Sequence, residues 1–187
     1  MMFLPAGVAA ERLLDGDTKR AATARRSRPF MKIPCLSIQQ PWATCIVAGV
    51  KPYENRTWYS TYRGPLLIHA GLRWHGPAAR PARLRLLRAL RRLWRDIPDL
   101  DLFEGGPSYP TGAIIGIATM TDCLRCQPRP ASPWFSGPCG FKMERAQRIP
   151  AVPYKGGLSF FKVPIDSLGD AREVVACYLG EFKARAG

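Results

Sequence analysis

Short apolar runs, separated by irregular connections rich in proline and glycine, constrain the fold of this chain most strongly. Residues 65–70, 112–120 and 157–163 have the composition of buried strands. The stretches 104–110 and 127–140 have the composition of loops. Because no regular helical crossover joins the runs, we predict an α+β fold: a small, mixed, mainly antiparallel β-barrel with flanking helices.

Three helices are expected around these strands. An apolar run at 33–38 leads into a short helix at 41–48, where Pro41 suits the first helical position and Gly49 the residue after the helix end. A C-terminal helix is predicted over 170–184. A further helix at 80–97 has leucines on one face and, on the opposite face, the arginines Arg85, Arg88, Arg92 and Arg95.

The chain is long enough for one domain with appended segments. Hydrophobic residues make up 47% of its 187 residues and charged residues 22%, which supports a substantial core. We assign 1–30 to a flexible basic N-terminal extension and 31–165 to the barrel, with a basic helical insertion at about 78–97. Residues 166–187 are predicted to form the C-terminal helix, packed on the barrel.

A formal net charge of +14 indicates a polyanionic partner, with RNA or a nucleotide as the first expectation. The arginine face of the helix at 80–97 either follows a phosphate backbone or is an ordinary solvated face. No apolar run reaches the roughly 18 residues of a membrane span. With no secretory signal pattern either, we expect a cytoplasmic protein with no membrane partner. The oligomeric state is not determined by the sequence.

The densest group of chemically active residues lies at 49–56, with the pattern G-x-K-x-x-E-x-R. Alternation along an extended segment places Glu54 and Arg56 on one face, and Lys51 on the other unless the turn at Pro52 redirects it. A lysine beside a glutamate and an arginine can hold a phosphate, act as a base or form a surface ion pair. These alternatives are open at the level of spacing alone.

The order of several motifs resembles the ASCH domain family, which belongs to the PUA-like β-barrels. The matching elements are S-I-Q-Q-P-W-A at 37–43, G-V-K-P-Y-E-N-R at 49–56 and Y-R-G-P-L-L-I-H-A at 62–70, followed by related segments at 112–116, 134–141 and 153–158. The resemblance spans roughly residues 33–164. One departure is Gln39, which stands where the resemblance leads us to expect arginine.

The resemblance implies a cleft beside the 49–56 segment that binds RNA or a modified nucleotide. An alternative is a hydrolase, acting on RNA as a ribonuclease or on acetylated cytidine as an amidohydrolase. By similarity Lys51 would be the reactive or base group and Glu54 its acid/base partner. The candidate substrate-binding residues are Gln40, Trp42, Arg56 and Trp134. Each tryptophan either stacks on a base or packs in the interior.

No motif for a cofactor is present. Cys123 and Cys126 form a C-x-x-C pair with Cys139 nearby, but a zinc site needs a fourth ligand and we expect reduced thiols and no metal. His69 lies within the apolar run at 65–70. It is therefore predicted to be a structural histidine with its hydrogen bonds satisfied, not a base.

Overall fold

The fold is built on one mixed β-sheet. The computed structural model describes residues 31–74 and 110–186. Its elements are β1 (Lys32–Gln40), α1 (Trp42–Val47), β2 (Tyr53–Arg56), β3 (Gly64–Trp74), β4 (Ala113–Leu124), β5 (Cys139–Pro153), β6 (Phe160–Pro164), 3-10 turns at Ile165–Ala171 and α2 (Arg172–Ala186).

The six strands of the described residues pair in the order β2-β5-β4-β3-β1-β6. Only β1 and β3 run parallel, with Ser37 opposite His69, and the other four pairings are antiparallel. The mainly antiparallel character of the prediction is therefore confirmed. The parallel pair follows from the connection through α1 and β2, since parallel neighbours need a crossover.

The sheet curls until its two ends face each other. The rings of Phe141 on β5 and Phe160 on β6 lie 5.8 Å apart, although three strands separate β5 from β6 in the sheet order. Trp58 bridges both, at 4.8 Å from Phe141 and 5.1 Å from Phe160. Among the described residues β2 and β6 do not pair, so the predicted barrel is corrected to a half-barrel, and these aromatic side chains make contact across part of its open side.

Both faces of the central strands are buried. Leu66 and Ile68 on β3 contribute to the core inside the curl, together with α1. Leu67, between them, faces the second core, which α2 and the 3-10 turns cover. Because side chains alternate along a strand, covering both faces requires an almost continuous apolar sequence, and this is why 65–70 is recognisable as a strand.

Helix α1 fits against the sheet through a glycine. A Cβ at Gly116 on β4 would overlap the side chain of Val47 and lie 2.8 Å from the carbonyl oxygen of Gln147. The helix therefore approaches the strand backbone directly. This close contact fixes the end of α1, from which the chain enters the 49–56 segment.

The sequence predictions for the elements are largely confirmed. Strands at 33–38, 65–70 and 112–120 and helices at 41–48 and 170–184 are present, while the run at 157–163 becomes a strand only from Phe160. Strand β5, the longest strand of the described residues, was not predicted. The extension at 1–30 and the helix at 80–97 lie outside the described residues.

Strand β5 escaped prediction because its apolar pattern breaks down after Met143. Phe141 and Met143 alternate as a half-buried strand should, but several polar residues follow and Arg145 has a φ of 52°. The pairing with β4 shifts register in this region. A bulge of this kind removes the period of two by which a strand is recognised.

No helix among the described residues has the length and apolar character of a membrane span.

Candidate functional site

A cleft of about 700 Å³ opens where the curled sheet fails to close. The 49–56 segment and the ends of β1 and β3 contribute to its walls, together with the loop before β5 and the segment before β6. The described lining residues are Ser37, Ile38, Gln39, Trp42, Lys51, Glu54, Asn55, Arg56, Gly71, Leu72, Arg73, Pro133, Trp134, Ser136, Gly157, Leu158 and Ser159. This volume falls within the range of ligand-binding pockets.

Lys51, Glu54 and Arg56 form one ionic cluster in the cleft wall. The Lys51 Nζ donates to Glu54 Oε2 at 2.6 Å and to the carbonyl oxygen of Tyr53. Arg56 Nη2 lies 3.2 Å from Glu54 Oε1. The Lys51 and Glu54 side chains are 4% and 9% exposed, whereas Arg56 is 22% exposed. One carboxylate is therefore shared by two cations, which we call the Lys51–Glu54–Arg56 cluster.

The turn at Pro52 determines the direction of Lys51. Strand β2 begins only at Tyr53, so strict alternation does not extend back to Lys51. The amide N–H of Lys51 donates to the carbonyl oxygen of Cys45, which ties the residue to the end of α1. Of the two orientations that the sequence left open, the structure has the one in which Lys51 reaches Glu54.

Arg56 joins two strands that are not neighbours in the sheet. Its Nη2 donates to the carbonyl oxygen of Ser37 on β1 at 2.7 Å. The pairing of β1 with β6 ends one residue earlier, at Leu36 opposite Phe160. The guanidinium therefore bridges the open side of the half-barrel. Its Nε is buried and has no hydrogen-bond partner among the described residues.

Two tryptophans form another wall of the cleft. The rings of Trp42 and Trp134 meet edge to face, 6.1 Å apart at 81°. Trp134 is 3% exposed, so its faces are covered by protein, whereas Trp42 is half-buried. Asn55 holds the Trp134 loop, because its Nδ2 donates to the Trp134 carbonyl at 2.8 Å and its Oδ1 accepts from the Ser136 amide at 2.9 Å.

Gln39 and Gln40 have opposite environments. Gln40 is fully buried and does not line the cleft. Its Nε2 donates to the Pro110 carbonyl at 2.9 Å, and its Oε1 accepts from the amide and hydroxyl of Thr44 at 3.2 and 3.0 Å. Gln39 is exposed and lines the cleft. Gln40, predicted to bind substrate, therefore lies away from the cleft, and its neighbour Gln39 borders it.

His69 and Ser37 hold the segment that forms the last wall. The Nε2 of His69 lies 2.9 Å from the Tyr154 carbonyl and must carry the proton, so Nδ1 accepts from the Ser37 hydroxyl at 3.1 Å. The Gly157 amide donates to the same hydroxyl at 3.3 Å. Burial lowers the pKa of His69, against the opposing effect of the Tyr154 hydrogen bond. The geometry supports the structural role predicted for this histidine.

Five of the six predicted catalytic or substrate-binding residues line the cleft, namely Lys51, Glu54, Arg56, Trp42 and the largely covered Trp134. The sixth, Gln40, does not. Arg85, Arg88, Arg92 and Arg95 lie outside the described residues. Further lining residues were not predicted as site residues, namely Ser37, Gln39, Asn55, Arg73 and the segment 157–159. Their partners are distant in the chain, so local spacing gives no signal for them.

The cysteines of the described residues are all free thiols. Cys35 and Cys45 are buried, and burial raises the pKa of Cys45 to about 12. Cys123 and Cys139 are buried, whereas Cys126 is exposed. Within residues 31–74 and 110–186 no group of three or more metal-ligating side chains occurs.

Two mammalian proteins are similar to about half of this chain. Activating signal cointegrator 1 of Mus musculus is 38% identical over 90 residues, and that of Homo sapiens is 37% identical over 93 residues. Each match covers 48% of this chain and 14% of the relative. The chain therefore corresponds to a small part of the relatives that it matches.

Solved structures of ASCH proteins from Zymomonas mobilis also resemble the chain. Two mutant proteins match with TM-scores of 0.43 and 0.44 at 13% identity, covering 78% and 80% of this chain and 98% of theirs. A further structure matches with a TM-score of 0.39 at 12% identity, covering 78% of this chain and 94% of its own. The family model of the ASCH domain matches residues 36–155, a range that contains the second half of β1, all of β2 to β5 and the whole ionic cluster. The chain belongs to the ASCH domain family.

Proposed function

We propose that this protein binds RNA or a modified nucleotide in the cleft beside the Lys51–Glu54–Arg56 cluster. The observation that carries the proposal is the meeting of this cluster with Trp42 around one cavity of about 700 Å³. Lysine and arginine provide contacts to phosphate and to base edges, and an aromatic ring provides a surface on which a base can stack. The net charge of +14 supports attraction of a polyanion.

The test is a binding titration with fluorescently labelled single-stranded RNA at roughly 50 and 200 mM salt. We expect the parent protein to bind in a salt-dependent way and Lys51→Ala to weaken binding by about tenfold or more. Lys51→Arg, which keeps the charge, distinguishes the loss of a cation from the loss of the lysine shape. Equal affinity of the parent and Lys51→Ala would contradict the proposal.

Lys142→Ala is the matched control for Lys51→Ala. Lys142 also contacts a glutamate, Glu144, at 2.6 Å, but it is 39% exposed and does not line the cleft. Its removal changes the net charge by the same amount. Cleft binding predicts that Lys142→Ala retains nearly all of the affinity, whereas diffuse electrostatic attraction predicts an equal loss from both variants.

A hydrolase is the second candidate function, favoured by the 2.6 Å contact between Lys51 Nζ and Glu54 Oε2 in the cleft wall. The contact positions the Lys51 side chain, whose ammonium can donate to a developing oxyanion. Incubation with acetylcytidine and, separately, end-labelled RNA tests this function. Turnover by the parent that is lost in Lys51→Ala, with binding retained, would identify an enzyme.

Arg85, Arg88, Arg92 and Arg95 are proposed as a second nucleic-acid contact, on the basis of their helical spacing in the sequence. Phosphate contacts of this kind add affinity without sequence preference. Replacing all four with alanine should reduce the salt dependence of RNA binding. An unchanged dependence would assign these residues to an ordinary solvated face.

A further inference from the structure

The hydrogen-bond acceptors of the ionic cluster and of Asn55 are engaged within the protein. Glu54 Oε2 accepts from Lys51, and Glu54 Oε1 faces Arg56 Nη2 at 3.2 Å. The Asn55 amide is used at both ends, by the carbonyl of Trp134 and the amide of Ser136. Every side-chain acceptor oxygen of these two residues is therefore already in contact with a donor of the protein.

Donors remain available at the same place. A lysine ammonium has three N–H bonds, and the two acceptors that Lys51 reaches leave one. A guanidinium has five, and Arg56 donates one of them to Ser37 while its buried Nε has no partner among the described residues. Because an unsatisfied buried donor is costly, this surplus favours a ligand that brings acceptors.

The charges of the cleft are also unbalanced. Its described ionisable lining residues are the cations Lys51, Arg56 and Arg73 and a single carboxylate, Glu54. The acidic residues that pair with Arg63, Lys142, Arg145 and Arg172 lie elsewhere. Poor solvation strengthens attraction at such a position. A neutral carbonyl group would accept hydrogen bonds from the donors but leave two positive charges uncompensated. An anionic oxygen accepts the same hydrogen bonds and also brings negative charge.

We infer that the inner end of the cleft is a phosphate subsite, in which Lys51 Nζ and the Arg56 guanidinium bind the oxygens of one phosphate group. This inference rests on the proposed function and adds the part of the ligand that is held there. A guanidinium fork and an ammonium together match the shape and charge of a phosphate. The base attached to that phosphate is then within the part of the cleft bordered by Trp42.

The first test compares adenosine, cytidine, guanosine and uridine with their 5′-monophosphates by titration calorimetry. We expect each monophosphate to bind about tenfold or more tightly than its nucleoside, because charge-assisted hydrogen bonds are the stronger class. Inorganic phosphate should compete with the monophosphates. The ³¹P resonance of the bound nucleotide should shift on binding to the parent protein.

A second arm distinguishes the two sources of the phosphate. A short single-stranded RNA is compared with and without a 5′-terminal phosphate, and with neutral methylphosphonate linkages at internal positions. Loss of affinity on removal of the terminal phosphate assigns the subsite to a chain end. Loss on neutralisation of one internal linkage assigns it to the backbone.

Arg56 variants connect the effect to the proposed residues. Arg56→Met should abolish the preference for monophosphate over nucleoside, and Arg56→Lys should retain part of it. Arg63→Met is the control, because Arg63 pairs with Asp122 and does not line the cleft. Thermal melting of each variant shows that it is folded at the temperature of the titration.

The outcomes separate this inference from the function on which it rests. If nucleosides and monophosphates bind equally, and Arg56→Met weakens both equally, the cleft binds nucleotides but the phosphate subsite is wrong. The phosphate subsite is also wrong if Arg63→Met abolishes the preference as fully as Arg56→Met does. If no nucleoside, nucleotide or RNA binds the parent protein, both the inference and the proposed function fail.

Discussion

Arg56 and Ser37 belong to strands that share no backbone pairing, yet the Arg56 Nη2 donates to the Ser37 carbonyl at 2.7 Å. The contact spans the open side of the half-barrel. It joins a residue of the ionic cluster to the strand that carries Gln39. The same arginine thus stabilises the fold and borders the cleft.

Removal of the Arg56 guanidinium should destabilise the fold. Arg56→Met loses the bond to Ser37 and one cation beside Glu54, so we expect the free energy of unfolding to fall by about 1.5–3 kcal/mol. Urea denaturation measures the change. Arg63→Met removes an ion pair whose members are 34% and 46% exposed and should cost less than about 1 kcal/mol. If both variants lose the same free energy of unfolding, the Arg56 contact to Ser37 does not stabilise the fold as a bridge between strands.

Neutralisation of Glu54 should be more costly than loss of either cation alone. Glu54→Gln leaves Lys51 and Arg56 without their shared carboxylate, so we expect a loss of roughly 3–5 kcal/mol. In the double variant Lys51→Met, Glu54→Gln the buried lysine charge is also removed. Its loss should therefore be smaller than the sum of the single losses, and strict additivity in a double-mutant cycle would show that the two side chains do not interact.

The adjacent glutamines provide a test in which size and chemistry are matched. Gln40→Ala deletes three internal hydrogen bonds of a fully buried side chain and should lower the free energy of unfolding by about 2 kcal/mol or more. Gln39→Ala should change stability by no more than about 0.5 kcal/mol. For ligand binding we expect the reverse order when both variants are titrated with RNA. Weaker binding by Gln40→Ala alone, in a folded protein, would contradict this assignment.

Protonation of His69 should destabilise the fold at low pH. Burial lowers the pKa of His69 below its ordinary value of 6.5, so the unfolded chain takes up the proton first. As pH falls below about 6.5, the unfolded state binds more protons and the free energy of unfolding decreases. Chemical denaturation between pH 8 and pH 5 should show this decrease in the parent and a weaker one in His69→Gln. If the free energy of unfolding falls equally with pH in the parent and in His69→Gln, a group other than His69 causes the decrease.

Gly156 and Gly180 should respond in opposite ways to alanine. A Cβ at Gly156 would lie 2.6 Å from His69 Cε1 and 2.8 Å from Ser37 Oγ, so Gly156→Ala should displace the segment 157–159 and weaken both stability and ligand binding. At the exposed helical Gly180 a Cβ would meet nothing within 4 Å. Gly180→Ala should therefore stabilise the protein by about 0.5–1 kcal/mol. Thermal melting of both variants tests the pair.

The sequence could predict what is local. Lys51, Glu54 and Arg56 are close in the chain, so a turn and a strand are enough to bring them together. The cleft walls depend instead on long-range bonds: Arg56 to Ser37 over 19 residues, Asn55 to Trp134 over 79 and Gly157 to Ser37 over 120. No spacing rule reaches across such separations, which explains why Ser37, Asn55 and Gly157 were missed.

The same contrast between local sequence and long-range contacts explains which strands could be predicted. Strand β3 was predictable because burial on both faces leaves an uninterrupted apolar sequence in its first half. Strand β5 was not, because the residues after Met143, apart from Ile149, are exposed or half-buried and Arg145 has a positive φ. Its position is determined by pairing with β4 and β2, which local composition does not record. The incomplete closure of the sheet likewise depends on contacts between residues distant in the chain, such as Trp58 and Phe160 near the two ends of the sheet.

The open side of the half-barrel has a thermodynamic consequence. A ligand in the cleft touches both margins of the opening, the 49–56 segment on one and Gly157 to Ser159 on the other. Unfolding must release such a ligand, so the melting temperature should rise with the logarithm of its concentration above the dissociation constant. Heat denaturation thereby becomes a screen for the natural ligand that requires neither a label nor knowledge of a reaction. A compound that binds only by non-specific charge attraction would no longer raise the melting temperature in high salt. A ligand bound in the cleft would keep part of this effect.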